Sequence, residues 1–391
     1  MKNKITYLLG ITITGFGDGI QQIALMWYIF HLTGEAASIG LMIAIYYLPS
    51  MILTPFLSVY VDHRDSKNIV VVTDGLRFLF VFVMAGLIFF HVESAVLFYV
   101  LQFILAICYT IYKPASQSFI KEAFADKDIP FVISKSSSLS EAAGLAGMAV
   151  SGMFLVKLSI STSFFINSLT FLVAAILYFF IKRVRPKQRK AGKVRYIPEL
   201  IAGWNFINHQ AGMKFLLFLS ILNSVSIQMT TTLMLPLANQ FHGGSGLYSS
   251  FEMAFSIGGI AAGLIVTFFL KKLKQKVIVV TMVGMMISAF LLYLNDFRIV
   301  AVICIFILGL FTMSHLTIVQ TLIQLNTTKE YIGRVIGLRT ILASFVKISS
   351  ALLTGTLISH IGIQNILLAF VVLILMSFLT WGNMKRVQVP V

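Results

Sequence analysis

The chain has 391 residues, of which 58% are hydrophobic and 11% charged, and its mean hydropathy is +0.92. No soluble core needs that much apolar surface, so a water-soluble domain is excluded and a polytopic membrane protein is indicated. The formal net charge of +16 would suit nucleic acid, but the cations border apolar runs instead of forming a basic face, so no nucleic-acid partner is expected.

Twelve apolar runs are long enough to cross about 30 Å of hydrocarbon: 5–32, 36–61, 69–90, 94–119, 134–158, 160–181, 214–241, 247–270, 277–294, 298–324, 334–360 and 362–383. The first is too long for a signal-peptide core and no small-residue cleavage site follows it, so it is expected to stay as a helix. With both termini cytoplasmic, the Lys and Arg fall on cytoplasmic segments or helix ends, except Lys157, Arg298 and Lys347. That is the positive-inside pattern of a multi-pass protein of the plasma membrane.

The first run carries Asp18 within Gly15-Phe16-Gly17-Asp18-Gly19-Ile20-Gln21-Gln22. At 1.5 Å per residue it stands roughly 20 Å deep, near the bilayer midplane. An ionisable group there costs about 2.5–3.5 kcal/mol on insertion scales and is expected to face a polar cavity and carry protons or substrate. Asp18 is the expected seat of the driving proton, and Gln21 and Gln22 are candidate substrate ligands.

The second run ends in Val59-Tyr60-Val61-Asp62-His63-Arg64-Asp65-Ser66-Lys67. This loop resembles the Gly-x-x-x-Asp-Arg loop of the major facilitator superfamily. Asp62, Arg64 and Lys67 keep its chemistry, while Ser58 stands for the usual Gly and His63 for the usual Arg. The resemblance implies an all-α fold of twelve transmembrane helices in two pseudo-symmetric six-helix bundles around a central cavity. It also implies a gating role for the loop.

Asp74 and Arg77 follow at the inner end of the third run, where an i,i+3 pair can neutralise itself and serve a gate or a structural role. The fourth run closes with Tyr109, Tyr112, Lys113 and Pro114, the tyrosines being further candidate substrate ligands. In the fifth run Gly144, Gly147 and Gly152 suit close helix packing. Glu141, roughly 10 Å below the inner surface, is a second candidate proton site.

Residues 182–213 form a basic cytoplasmic linker between an N-terminal bundle, 1–181, and a C-terminal bundle, 214–391. Its Ile197, Leu200, Ile201, Trp204 and Ile207 have the spacing of an amphipathic helix lying in the membrane interface, with Pro198 in the first turn. At an offset of 203 residues, Gln117, Ile120, Ile129, Val132, Ile133, Leu139 and Gly152 match Gln320, Ile323, Ile332, Val335, Ile336, Leu342 and Gly355. Both copies cover a helix, a loop and a helix, as two parallel transporter halves would.

In the second half, Pro236 interrupts the seventh run, Glu252 sits near an outer helix end, and Gly259-x-x-x-Gly263 suggests a tight helix contact. His315 has an unperturbed pKa that suits a proton relay. Arg334 is expected to latch the inner helix ends together with the loop from Asp62 to Lys67. The segments Pro114-Ala115, Val319-Gln320-Thr321-Leu322-Ile323-Gln324 and Glu330-Tyr331-Ile332-Gly333-Arg334-Val335 resemble the branch holding macrolide efflux proteins and enterobactin-type siderophore exporters. Lys347, about 20 Å deep from Arg334, needs a carboxylate, a wet cavity or an anionic substrate group.

No phosphate-cradling motif, metal constellation or nucleophile arrangement appears, so neither an enzyme nor a cofactor is expected. The two cysteines, Cys108 and Cys304, lie in separate apolar runs. The sequence therefore predicts a proton-coupled exporter, acting as a monomer, whose partners are protons, the lipid bilayer and a small-molecule substrate. A zwitterionic or carboxylate-bearing solute such as a siderophore or opine-type metallophore fits Asp18, Glu141, His315 and Lys347. The alternatives are a lipophilic cation of macrolide type and a receptor that does not transport.

Overall fold

The structure, a computed structural model, describes residues 2–157, 159–184, 196–273, 276–328 and 330–378. These residues are almost wholly helical, with no strand among them. In chain order the helices are α1 (Lys2–Thr33), α2 (Ala36–His63), α3 (Ser66–Phe89), α4 (Ala95–Ala123), α5 (Ile129–Lys157), α6 (Ile160–Phe180), α7 (Tyr196–His209), α8 (Met213–Gln240), α9 (Gly244–Leu273), α10 (Lys276–Tyr293), α11 (Arg298–Leu325) and α12 (Ile332–Phe378).

α12 is two spans in one. Gly362, at φ 81° and ψ 163°, occupies backbone space that only glycine enters without strain, and it separates an arm of residues 332–361 from one of 363–378. With α7 set aside as the linker helix, the helices then number twelve. Among the described residues, nine helices are long and apolar enough to cross a membrane. α1 is not one of them, because Asp18, Gln21 and Gln22 interrupt its middle. α4 and α8 continue through Pro114 and Pro236.

The chain forms two compact units, one of residues 1–34 and 45–194 and the other of 35–44 and 195–391. In the first, α1 and α5 cross backbone to backbone. A methyl group on Gly15 would strike the Ser140 carbonyl oxygen, one on Gly19 the Gly144 backbone, and one on Gly147 the Phe16 carbonyl. Tyr7 of α1 packs its ring against Phe119, Phe124 and Tyr178 in an aromatic cluster at one end of the unit.

In the second unit α9 meets α11 in the same way, through Gly258 against Phe306 and Gly309 against Phe255. The tight contact expected at Gly259 and Gly263 thus falls one residue earlier, and Gly263 faces open space. The first part of α2 joins this unit, where Gly40 lies on the Ala351 backbone and Gly355 on that of Ala36.

α7 turns Gly203 and Phe206 toward α12, with Phe206 stacked on Tyr331 at 4.8 Å. Ile207 is buried, whereas Ile201 and Trp204 are exposed. The stripe read from the sequence is therefore divided between protein packing and an outward apolar face.

Candidate functional site

Three glycines in alternate positions decide where Asp18 points. Gly15 and Gly19 are pressed on α5, and Gly17 lies against Asn167 and Thr170 of α6. Residue 18 stands about 100° round the helix from each neighbour, so its side chain leaves the α5 and α6 contacts and meets α3. There Arg77 Nη2 donates to both Asp18 carboxylate oxygens, at 2.9 and 3.1 Å. Arg77 Nη1 donates to Asp74 Oδ1 at 3.3 Å.

One guanidinium therefore holds two carboxylates, and the three differ in access. The Asp18 side chain is 43% exposed, Arg77 6% and Asp74 0%. Asp74 Oδ2 is buried with no hydrogen-bond partner among the described residues. The guanidinium lies 3.8 Å from the Phe171 ring centroid and within 6 Å of those of Tyr109 and Tyr112, a cation–π cage that fixes its plane.

The start of α3 sets how far along the helix Asp74 and Arg77 lie. Asp65 caps α3, accepting from the Asn68 amide at 3.0 Å, so the helix starts at Ser66, three residues before the apolar run. Arg77 stands about 17 Å along it at 1.5 Å per residue, deep enough to reach Asp18.

Gln21 accepts from Asn167 Nδ2, which is also within hydrogen-bonding reach of Asp18; Gln22 is exposed. Tyr109 feels the charges of Asp18, Arg77 and the exposed Glu141 and packs 6.1 Å from Tyr46. The structure thus gathers Asp18, Gln21, Arg77, Asp74, Tyr109 and Tyr112 into one group and adds Asn167, Tyr46 and Phe171. Asn167 and Phe171 carry no signal that sets them apart in an apolar run.

The expected gating residues find partners within their own units. Lys67 donates to the Ile181 carbonyl at 3.0 Å, and Arg183 holds Asp65 at 2.5 Å. Ser66 donates to Glu122 at 2.7 Å. Burial pushes the Asp65 carboxyl up, but hydrogen bonds from Arg183 and the Asn68 amide outweigh it and hold the group below the usual carboxylate range. Arg334 pairs with Glu199 of α7. Arg64 is exposed, and the side chain of Asp62 lies outside the described residues.

His315 is fully buried, with Nδ1 at 2.9 Å from the Thr281 hydroxyl of α10. Lys347 is half-buried on the first arm of α12. Arg339, about one turn and a half from Arg334, was not marked by the sequence pattern, and its Nε is buried without a hydrogen-bond partner among the described residues.

A sequence model described as Major Facilitator Superfamily matches residues 7–346 and again 216–388. The chain belongs to the Major Facilitator Superfamily. Macrolide efflux protein A of Streptococcus pyogenes is 22% identical over 92% of this chain and 90% of its own length. The uncharacterized MFS-type transporter YfiS of Bacillus subtilis is 26% identical, but that alignment spans 46% of this chain and 43% of YfiS.

Among solved structures, the nucleoside transporter NupG has a TM-score of 0.78 at 13% identity, covering 98% of this chain and 99% of that one. A bacterial homologue of the human lysosomal transporter Spinster has a TM-score of 0.73 at 11% identity, covering 99% and 98%. At such identities they speak to the fold alone. The protein is a multi-pass membrane transporter built of two six-helix bundles.

Proposed function

We propose that the protein is a proton-coupled exporter of a small zwitterionic organic solute, carried by the Asp18–Arg77–Asp74 triad. Two carboxylates against one guanidinium leave a surplus of one negative charge, which membrane burial makes costly. Either a proton or a cationic group of the solute can cancel it, and both cannot do so together. That exclusion is the exchange an antiporter needs.

The accessible member is Asp18, so this unit offers a carboxylate to an amine. In the second unit, Arg339 and Lys347 of α12 are proposed to favour solutes that also carry a carboxylate. Siderophores and opine-type metallophores combine both groups. Export rather than import is supported by the efflux named for the Streptococcus pyogenes relative. The second reading, a lipophilic cation of macrolide type, is favoured by the same exposed Asp18 and opposed by the α12 cations.

Gln21, Gln22, Tyr109 and Tyr112 are the proposed substrate ligands, with Glu141 an accessory acid. Asp62, Arg64, Lys67 and Arg334 are the proposed inner gate of a monomer lying in the cell membrane with both termini cytoplasmic.

The test is Asp18→Asn in proteoliposomes with an imposed pH gradient and a panel of labelled metallophores and cationic dyes. Asparagine keeps the size and removes the charge, so gradient-driven flux of every transported compound should fall to background. Wild-type flux in this variant would sink the coupling assignment.

A further inference from the structure

We infer that Asp74, not the accessible Asp18, holds the exchanged proton, and that substrate cations binding at Asp18 expel it through Arg77. This rests on the proton-coupled reading above and assigns the proton's seat within it.

The geometry is asymmetric in a way that charge balance can use. Asp18 receives two hydrogen bonds from Arg77 Nη2, at 2.9 and 3.1 Å, while Asp74 receives one, at the longer 3.3 Å, and its Oδ2 is buried without a donor among the described residues. A buried carboxylate oxygen with no donor is expensive, whereas a protonated one is not. The charged and titratable groups that face Asp74 are Arg77 on its own helix, Asp18 and Tyr7 from α1, Cys108 and Tyr112 from α4, and Tyr178 from α6. Arg77 is the one cation among them, and it is already committed to Asp18.

In the resting triad Asp18 is ionised, Arg77 is charged and Asp74 carries the proton on Oδ2, for a net charge of zero. A substrate ammonium then pairs with the open side of Asp18. The triad gains a positive charge, and neutrality returns when the Asp74 O–H bond breaks, its electron pair staying on the carboxylate and its proton passing to bulk water. The freed carboxylate becomes the main counter-ion of Arg77. Proton return from the acidic side reverses the step and weakens substrate binding, which is release.

Infrared spectroscopy of the full-length transporter in detergent reads the proton directly. The background carries Glu122→Gln and Glu252→Gln, since both are buried acids with one oxygen that lacks a hydrogen-bond partner among the described residues, and their carbonyl bands would overlap. At neutral pH the protonated-acid stretch should be present in this background, absent in Asp74→Asn, shifted in Asp74→Glu and unshifted in Asp18→Glu. It should also vanish in Asp18→Asn, because Arg77 then has Asp74 alone as counter-ion. No band in the background, a band that shifts with Asp18→Glu, or one that survives Asp18→Asn would overturn the inference.

A second measurement adds tetraphenylphosphonium to weakly buffered protein with a pH indicator and follows its binding by equilibrium dialysis. About one proton should be released per bound cation, and none in Asp74→Asn. Binding without release in the parent protein overturns the linkage. Failure of the probe to bind would count against the cation-accepting site of the functional reading, leaving the infrared bands to decide Asp74.

Discussion

The two units bury polar groups in opposite styles. In the first, the deep polar groups are ions in contact: Asp18, Arg77 and Asp74 share one guanidinium, and Asn167 ties Gln21 beside them. In the second they are dispersed: His315 on Thr281, Glu252 beside Tyr248, and Asn223 buried with no hydrogen-bond partner among the described residues. A linked set of ions responds as a whole when one member is neutralised, because the others inherit its counter-charge. Isolated hydrogen-bonded groups do not. Under the proposed function, charge coupling belongs to the first unit, the one in which neutralising one ion is felt by the others.

The largest expected effect tests the linkage itself. Arg77→Gln strands two acids, one of them fully buried, and breaking a buried pair by removing one partner costs about 3–5 kcal/mol. Thermal unfolding in detergent should show a strong loss of stability, much of it recovered when Asp74→Asn is added. Equal destabilisation of single and double variants would mean that Arg77 acts through its Phe171 contact and not through charge.

A smaller effect is expected on α12. Charge-assisted hydrogen bonds are worth about 1.5–3 kcal/mol, so Lys347→Met and Arg339→Gln should each weaken transport of a carboxylate-bearing chelator roughly ten- to a hundredfold. Transport of a permanently cationic dye should be spared or improved. Equal loss of both substrates in a normally folded variant would return these residues to structural pairing.

The smallest effect sharpens the contrast from the other side. His315→Gln should lower stability by about 1 kcal/mol, the scale of one hydrogen bond, and leave the pH profile of flux unmoved. A displaced profile would make His315 the relay that its residue type suggests and would end the division of labour between the units.

The sequence by itself determined the class, the helices and the repeat, because hydrophobic runs of membrane length and the bias of Lys and Arg are local properties that need no partner. It also marked Asp18 and Lys347, since an ionisable residue inside an apolar run is conspicuous on its own. Tertiary structure alone decided which ions meet. Asp18 and Arg77 are 59 residues apart and their contact depends on a capped start of α3 and on glycines that turn α1 by fractions of a helical turn. Periodicity read to within a few residues cannot resolve such angles, since one residue rotates a helix by about 100°. The same reason hid Asn167 and Phe171: an amide or a ring in an apolar run takes on a role only when a neighbouring helix brings it a charge.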